Sequence, residues 1–367
     1  MKKIVIAPDS FKGTLSATEV CSVLSGCLKE RYSDIEMIQI PVADGGEGTV
    51  EALLTAMGGE KIYCTVKSPL GSGITAYYGL LPEGTAVIEM AQASGITIEK
   101  ENNALRASSY GTGQLILDAV NKGARDILIG IGGSATTDGG IGTVAALGGR
   151  FLDASEKEVP LCGEGLSLIE KIDISGLDKR LRECNITVLC DVVNPLYGEK
   201  GAAFVFAPQK GASSDDVMLL DDGLRNLAHV SESTLGKDYS LCEGAGAAGG
   251  LGFALIAFLG ANLRKGIEYI LEKTDFTKKI QNADLIITGE GKLDIQSLMG
   301  KVPFFVAEKS KGKRVLALVG VSEVTTEEAQ KNGISEIVET NPLHLPFEAI
   351  KTSAKQMLIK ASKNILI

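Results

Sequence analysis

The feature that most limits the fold is a regular alternation of short apolar runs and amphipathic runs at both ends of the chain. Near the N-terminus, the apolar runs KIVIA and IEMIQI are followed by segments with helical spacing, SATEVCSVLSGCLKERY and EGTVEALLTAMGG. The rhythm returns from about residue 283, where DLIITGEGK, RVLALVG and ISEIVET are separated by helical segments. This alternation predicts an α/β fold in which helices cover a parallel sheet.

The segment that follows the first two βα units has a different pattern. The strand-like runs KIYCTV, ITAYYGLL and AVIEMA come without a helix between them, which predicts a mixed or antiparallel sheet. The βα units at the two chain ends together make one sheet of ordinary size. We therefore expect a discontinuous Rossmann-like α/β domain from residues 1–65 and 283–367, and an inserted mixed-sheet α/β domain at 66–282. Two consecutive domains are the alternative.

Composition narrows the class of protein. The 367 residues include 44% hydrophobic residues and carry a net charge of −9, which fits a globular chain and argues against a nucleic-acid partner. The seven cysteines are scattered without a CxxC pair, as expected for reduced thiols in a cytoplasmic protein. The longest apolar stretch, GAGAAGGLGFALIAFLG, is shorter than the ~20 residues of a membrane span, so no membrane partner is expected.

Four loops that follow predicted strands carry the polar residues of interest. In open α/β sheets, ligands bind at the carboxyl ends of the strands. The loops are rich in Gly, Asp, Lys, Ser and Thr, and we number them in chain order: loop 1, DSFKGTLS (9–16); loop 2, VADGGEGT (42–49); loop 3, GIGGSATTDGGIG (130–142); loop 4, TGEGKLDIQS (288–297).

Loop 3 has the composition of a phosphate cradle. Its six glycines flank hydroxyl side chains and one aspartate, so bare N–H groups and hydroxyls can turn toward an anion. Close packing of a helix on a strand is the alternative, but it needs only one or two glycines. The candidate nucleotide-binding residues are Gly132, Gly133, Ser134, Thr136, Asp138 and Gly139.

Loops 1 and 2 are candidates for the site of a small acid. Lys12 offers a point charge for a phosphate or carboxylate, and the Gly45–Gly46 turn precedes a helix start, which favours anions. Asp44 can orient a hydroxyl or a metal ion. The alternatives are a solvated turn for loop 1 and a tight strand-to-helix turn for loop 2. The candidate substrate-binding residues are Asp9, Ser10, Asp44, Gly45, Gly46 and Asn194.

Carboxylates at further strand ends suggest a metal ligand and a general base. Glu290 and Asp294 flank Lys292 in loop 4, and Mg²⁺ is usually bound by one or two carboxylates together with phosphate oxygens. Asp191 follows the apolar run ITVL and precedes the turn at Asn194, a position suited to a general base. A charged surface turn and a helix or turn cap are the respective alternatives.

Several known site types are missing or misleading. The chain has no GxxxxGK[ST] motif and no protein-kinase signature, and its two histidines make a Ser-His-Asp hydrolase improbable. The run GAGAAG matches a dinucleotide motif but follows a poor strand. Glycine loops with carboxylates and lysines remain, and phosphoryl transfer needs this combination because catalysis there is mostly positioning and charge neutralisation.

Read together, these motifs resemble the bacterial glycerate kinase family (type I, glycerate 2-kinase). The resemblance runs in order along almost the whole chain, through SFKGTLS, ADGGEGT, ASGI, GTGQLILDA, GIGGSATTDGG, CDVVNPLYGEKGAAFVFAPQKGA, GAGAAGGLG and TGEGKLDIQS. It implies two α/β domains with the active site in the cleft between them. It also implies ATP-dependent phosphorylation of D-glycerate to 2-phosphoglycerate with Mg²⁺, in glyoxylate or glucarate catabolism.

The resemblance leads to a hypothesis of roles and leaves rivals open. Asp191 accepts the proton of the attacking hydroxyl, Lys12 receives the acceptor, loop 3 holds the nucleotide phosphates, and Glu290 with Asp294 supports the metal ion. A kinase that forms 3-phosphoglycerate, a kinase for another small hydroxy acid, an ATP-binding sensor and a dehydrogenase are the alternatives. We expect a monomer or homodimer with small-molecule partners.

Overall fold

The structure is a computed structural model, and it describes residues 2–32, 34–43, 45–295, 297 and 301–366. The strands in this part of the chain are β1 (Lys2–Pro8), β2 (Ile35–Gln39), β3 (Glu60–Lys67), β4 (Gly73–Leu80), β5 (Ala86–Glu89), β6 (Asp126–Gly130), β7 (Arg150–Leu152), β8 (Lys171–Asp173), β9 (Asn185–Leu189), β10 (Asn262–Arg264), β11 (Leu285–Leu293), β12 (Val315–Ser322) and β13 (Glu336–Glu339).

The helices alternate with these strands in both terminal regions. They are α1 (Ala17–Arg31), α2 (Thr49–Met57), α3 (Ala91–Ser94), α4 (Tyr110–Asn121), α5 (Ile141–Ala146), α6 (Ala202–Phe206), α7 (Ser214–Leu235), α8 (Ala247–Leu259), α9 (Gly266–Lys273), α10 (Phe276–Lys279), α11 (Val302–Lys309), α12 (Thr326–Lys331), α13 (Phe347–Ile350) and α14 (Ala354–Ser362). Short 3₁₀ turns lie at Gly163–Leu168, Lys179–Glu183 and Pro208–Lys210.

Internal contacts divide the chain into two compact units. Unit 1 consists of Met1–Asp44, Glu51–Gly58 and Gly266–Ile367, and unit 2 consists of Gly45–Val50 and Gly59–Lys265. The domain boundaries expected from sequence, 1–65 with 283–367 and 66–282, stay a prediction.

Unit 1 contains a five-stranded parallel sheet in the order β13-β12-β11-β1-β2. Strand β1 pairs with β2 on one side and with β11 on the other, so the two chain ends share one sheet. Its core contains Ile4, Ile6 and Ile287, all fully buried. Ser16 and Glu19 form the capping box expected at the start of α1.

Unit 2 contains a six-stranded sheet in the order β10-β9-β6-β5-β4-β3. Strands β5, β6, β9 and β10 are parallel, while β3 and β4 are antiparallel, as the pattern without intervening helices predicts. The glycine-rich α8 is largely buried, with left-handed backbone from Ala248 to Gly250. None of the helices in the described part of the chain is long and apolar enough to cross a membrane.

Candidate functional site

The parallel strands of unit 2 end at a common edge, from which loop 3 and the segment that contains Asp191 begin. In the sheet register, Glu89 at the end of β5 is opposite Gly130 of β6, and Gly130 is opposite Leu189 of β9. Loop 3 starts at Gly130, and Asp191 follows β9 by two residues. This edge is where the strand geometry of an α/β sheet favours a ligand.

Loops 2 and 3 are in contact within unit 2. A Cβ added to Gly130 would lie 2.4 Å from the Gly45 carbonyl oxygen, and one added to Gly132 would lie 2.8 Å from the Gly46 Cα. The Gly132 N–H also donates to the Gly45 carbonyl at 3.5 Å. Only glycine permits this approach of two backbones. Asp44, the remaining candidate of loop 2, lies outside the described residues.

Glu89 is a functional candidate that sequence reasoning missed. Its side chain is 2% exposed, and its Oε1 accepts the Val50 N–H at 2.8 Å. Burial raises the pKa of Glu89, while hydrogen bonds from Val50, Gln92 and Gly48 act in the opposite direction. The Glu89 carboxyl group therefore lies beside the first residues of α2. The sequence signal that could have identified it is a glutamate at the end of the apolar run AVIE.

Loop 3 has donors without protein acceptors. The Thr136 and Thr137 side chains are fully buried, and within the described residues their hydroxyls have no hydrogen-bond partner. In the same part of the chain, the backbone N–H groups of Thr136, Thr137 and Asp138 donate to no protein acceptor. Gly133 and Gly139 have left-handed backbone, with φ of 72° and 62°, which turns the loop sharply. Such a set of donors suits phosphate oxygens.

Asp138 organises the loop from inside. Its fully buried carboxylate accepts hydrogen bonds from the Ser109 N–H at 2.7 Å and the Ser109 hydroxyl at 2.8 Å. The N–H groups of Gly140 and Gly142 donate to it at 3.1 and 3.3 Å. Burial raises the pKa of Asp138, and these hydrogen bonds oppose the shift. Its role toward nucleotide stays a prediction.

Lys210 is the second residue that sequence reasoning missed. Its side chain is 1% exposed, and its Nζ donates to the Thr136 carbonyl at 2.5 Å. Burial lowers the pKa of Lys210 to about 7, against the effect of the nearby Asp138 carboxylate. The signal was a lysine inside the run APQKGA, where a glycine with φ of 89° follows it.

Asp191 and Asn194 lie just beyond β9. The Asp191 side chain is exposed. The side-chain amide of Asn194 donates to the Lys200 carbonyl at 2.8 Å. The backbone carbonyl of Asn194 accepts the Gly246 N–H at 2.9 Å. Asn194 thus braces the loop that follows Asp191, and its contact with substrate stays a prediction.

In unit 1, the structure brings loops 1 and 4 together. The Asp9 N–H donates to the Gly289 carbonyl at 2.8 Å, and the Asp9 carboxylate accepts the Ser10 N–H at 2.6 Å. A Cβ added to Gly291 in loop 4 would lie 3.5 Å from the backbone nitrogen of Lys12 in loop 1. Lys12 is an exposed residue of this unit.

Glu290 and Asp294 differ in how their carboxylates are satisfied. Glu290 is 6% exposed, and its Oε1 has no hydrogen-bond partner among the described residues. Burial raises the pKa of Glu290, although Ser297, Lys301 and Lys12 oppose the shift. Asp294 accepts the Ser297 N–H at 3.0 Å and pairs with Lys301 at 3.4 Å. The Lys292 ammonium forms an ion pair with the Glu323 carboxylate, at 2.8 Å, and not with Glu290 or Asp294.

Glu290 and Asp294 suit only one mode of Mg²⁺ coordination. The described residues contain no cluster of three or more His, Cys, Asp or Glu side chains that could hold a metal ion. A metal ion enclosed by protein ligands does not fit this arrangement. An ion bound mainly by phosphate oxygens, with one or two carboxylates, does fit, and the unpartnered Oε1 of Glu290 is a suitable ligand.

Comparison with known proteins identifies the family. Residues 4–367 match the sequence profile of the Glycerate kinase family. The chain belongs to the glycerate kinase family. It is 44% identical over 368 residues to the glycerate kinase of Bacillus subtilis (strain 168), covering 99% of this chain and 96% of that protein. It is 43% identical over 369 residues to the glycerate 2-kinase of Escherichia coli (strain K12), covering 99% and 97%.

A solved structure of a glycerate kinase supports the same conclusion. The structure of a glycerate kinase 2 from Salmonella typhimurium LT2 superimposes with a TM-score of 0.86 at 43% identity, covering 99% of this chain and 96% of that one. The resemblance to glycerate kinases and the α/β class, both expected from sequence, are therefore confirmed. The family makes the chain a kinase, with ATP as cosubstrate.

Proposed function

We propose that this member of the glycerate kinase family transfers the γ-phosphoryl group of ATP to D-glycerate and forms 2-phosphoglycerate. The observation that carries the proposal is the match to glycerate kinases along residues 4–367. The relative in Escherichia coli is a glycerate 2-kinase and is 43% identical over 99% of this chain, which supports the 2-phospho product.

Loop 3 is proposed to hold the nucleotide phosphates. Gly132, Gly133 and Gly139 are proposed to shape the loop around the ligand, and Ser134 and Thr136 to supply hydroxyls. Two of these glycines also permit close internal packing, since a Cβ would lie 2.8 Å from the Gly46 Cα at Gly132 and 2.3 Å from the Leu227 side chain at Gly139. The support is the set of buried donors without protein acceptors in this loop. Donors already fixed before the ligand binds lose little entropy on binding, which is how preorganised sites stabilise charge in phosphoryl transfer.

Asp191 is proposed to accept the proton of the attacking hydroxyl. Its carboxylate is exposed at the end of β9, so a substrate hydroxyl can reach it, unlike the enclosed carboxylates of Glu89 and Asp138. General-base catalysis requires hydrogen-bond reach first and a suitable pKa second. Asn194 and the Gly45–Gly46 turn are proposed to contact the acceptor.

Lys12 is proposed to bind the carboxylate of D-glycerate, together with Asp9 and Ser10 in loop 1. In support, the charge of Lys12 is among the effects that lower the pKa of Glu290 against the larger effect of burial. A lysine binds a carboxylate as a flexible point charge, so its contribution should appear chiefly in substrate affinity.

Glu290 and Asp294 are proposed to bind Mg²⁺. The ion, when bound with ATP, neutralises charge on the phosphate oxygens. Glu290 supplies an oxygen that has no hydrogen-bond partner among the described residues, and Ser297 with Lys301 fixes the orientation of Asp294. A cytoplasmic location and a monomer or homodimer stay predictions.

Phosphorus NMR of a reaction with ATP and D-glycerate tests the proposal. The expected spectrum contains ADP and 2-phosphoglycerate, whereas 3-phosphoglycerate would correct the position of transfer. A parallel ADP-release assay with tartronate and threonate separates a glycerate kinase from a kinase of another hydroxy acid. ATP binding without acid-dependent ADP release would replace the enzyme with a sensor, and binding of NADH would favour a dehydrogenase.

A further inference from the structure

Lys210 is a buried cation for which the proposed mechanism has no use. It ends the 3₁₀ turn Pro208–Lys210 and is 1% exposed. Burial of an ammonium is costly unless charge or hydrogen bonds compensate for the lost hydration. Its compensation comes from loop 3, where the Thr136 carbonyl accepts its hydrogen bond and the Asp138 carboxylate attracts it.

The hydrogen bond from Lys210 fixes one peptide unit of the loop. Because a trans peptide is planar, the Thr136 carbonyl and the Thr137 N–H point in opposite directions. With the carbonyl held toward Lys210, the Thr137 N–H points away from the ammonium. That N–H has no acceptor in the described part of the chain. The lysine therefore selects the peptide orientation in which the loop presents a donor, and not a carbonyl oxygen, to an anion.

Lys210 also offsets a charge that would repel phosphate. Asp138 lies in the same loop with its carboxylate fully buried, and its described partners are neutral N–H and hydroxyl groups. A buried negative charge acts over a longer range than an exposed one, because water screens it less. The Asp138 carboxylate raises the pKa of Lys210 against the effect of burial, so the protonated lysine is the group in this loop that offsets a charge on Asp138.

We infer that Lys210 is a positioning residue for the nucleotide phosphates, which holds the Thr136–Thr137 peptide in its donor orientation and offsets the charge of Asp138. The inference rests on the proposed function, because it takes the ligand of loop 3 to be the polyphosphate of ATP. Lys210 itself is enclosed by protein and acts through the loop.

The test compares Lys210→Met and Lys210→Gln with the wild type and with Lys157→Met. Methionine removes the charge and the donor at similar length, whereas glutamine keeps an N–H donor. Lys157 is exposed in the same unit, and its described hydrogen bonds are made by its backbone, so Lys157→Met is the matched control. Circular dichroism and thermal unfolding establish that each variant is folded.

Calorimetry with ATP and with adenosine gives the decisive readout. Adenosine lacks phosphates, so a general loss of structure would weaken both ligands equally. We expect Lys210→Met to weaken ATP by about tenfold, equivalent to about 1.4 kcal/mol, and adenosine by less than about twofold. The KM for ATP should rise while the KM for D-glycerate stays within about twofold. Lys210→Gln should retain part of the ATP affinity, and Lys157→Met all of it.

Two results would overturn the inference. One is a folded Lys210→Met enzyme whose affinity for ATP is unchanged, and the other is an equal loss for ATP and adenosine. If the methionine variant does not fold, the affinities of Lys210→Gln for ATP and for adenosine test the inference instead. A wild-type enzyme that phosphorylates D-glycerate while Lys210→Met behaves normally refutes the inference alone. A wild type that binds no ATP refutes the proposed function and the inference with it.

Discussion

Loop 3 in unit 2 follows strand β6, whereas loop 4 in unit 1 lies largely within strand β11, because that strand continues to Leu293. The two loops offer different chemistry. Loop 3 presents backbone N–H groups and buried hydroxyls, and its charged groups Asp138 and Lys210 are turned inward. Loop 4 presents side-chain charges, with Glu290 and Asp294 near Lys301. The comparison shows how an acidic chain can bind anions. The proposed site uses bare amides in one unit and individual lysines in the other, so different substitutions should impair ligand binding by the two units.

Asp191 differs from loop 3 in unit 2, since a charged side chain is proposed to act directly on the substrate there. Asp191→Asn should lower kcat by about 10²–10⁴, the usual contribution of a general base, with little change in KM for ATP. Steady-state ADP release measures both constants. Asp222→Asn, an exposed change on α7, is the control. Near-normal turnover of Asp191→Asn would remove the base assignment. The donors of loop 3 would then remain as the proposed contribution of unit 2.

Glycine substitutions should separate the two units by stability. Gly130→Ala places a methyl group 2.4 Å from the Gly45 carbonyl oxygen, whereas Gly291→Ala places one no closer than 3.4 Å to Phe11. Gly130→Ala should lower the free energy of unfolding by about 1–3 kcal/mol through overpacking and raise KM for ATP. Gly291→Ala should stay within about 0.5 kcal/mol. Urea denaturation compares them, and equal losses would contradict the distinction.

Removal of a charge should affect unit 1 through its substrate. Lys12→Ala should raise KM for D-glycerate by about tenfold, because a charge-assisted contact of about 1.4 kcal/mol is lost, with KM for ATP unchanged. Lys311→Ala removes an exposed lysine of the same unit and should have no effect. Unchanged D-glycerate kinetics in Lys12→Ala would exclude its role as acceptor ligand.

Loss of a helix cap should lower Tm by a similar amount in both units. The cap variants therefore serve as a reference for the substitutions that are expected to differ between the units. Ser213 caps α7 in unit 2 and Thr325 caps α12 in unit 1, each with a capping box. Replacement of either by alanine should lower Tm by about 2–4 °C.

The two caps also predict a pH dependence. Hydrogen bonds from Ser213 lower the pKa of Asp216 below 3.8, and those from Thr325 lower the pKa of Glu328 below 4.5. A carboxyl with a lowered pKa stabilises the fold above its ordinary pKa, and this contribution is lost as pH falls through the lowered value. The Tm difference between wild type and each alanine variant should therefore shrink in acid. A difference that is constant with pH would contradict this account of the caps.

The parts of the structure that depend on local pattern were predictable. The βα rhythm predicts the parallel sheet shared by the chain ends, the hairpin-like runs predict antiparallel β3 and β4, and Ser16 with Glu19 predicts the start of α1. Periodicity and capping are properties of neighbouring residues, so the sequence carries them directly.

The missed residues depend on contacts between distant segments. Glu89 reaches Val50 across 39 positions, and Lys210 reaches Thr136 across 74. No spacing rule connects such pairs. Likewise, Gly45–Val50 belongs to unit 2 by its contacts although the residues on both sides belong to unit 1. Lys292 lies between two candidate carboxylates in sequence, but its ammonium pairs with Glu323 at 2.8 Å, a contact that sequence spacing does not predict.

A crystal structure of the enzyme with Mg²⁺ and a non-hydrolysable ATP analogue tests the central claim most directly. The account predicts phosphate oxygens about 3 Å from the backbone N–H groups of Thr136 and Thr137, within the range of N–H···O hydrogen bonds. Phosphates bound elsewhere, with these N–H groups still without an acceptor, would contradict it.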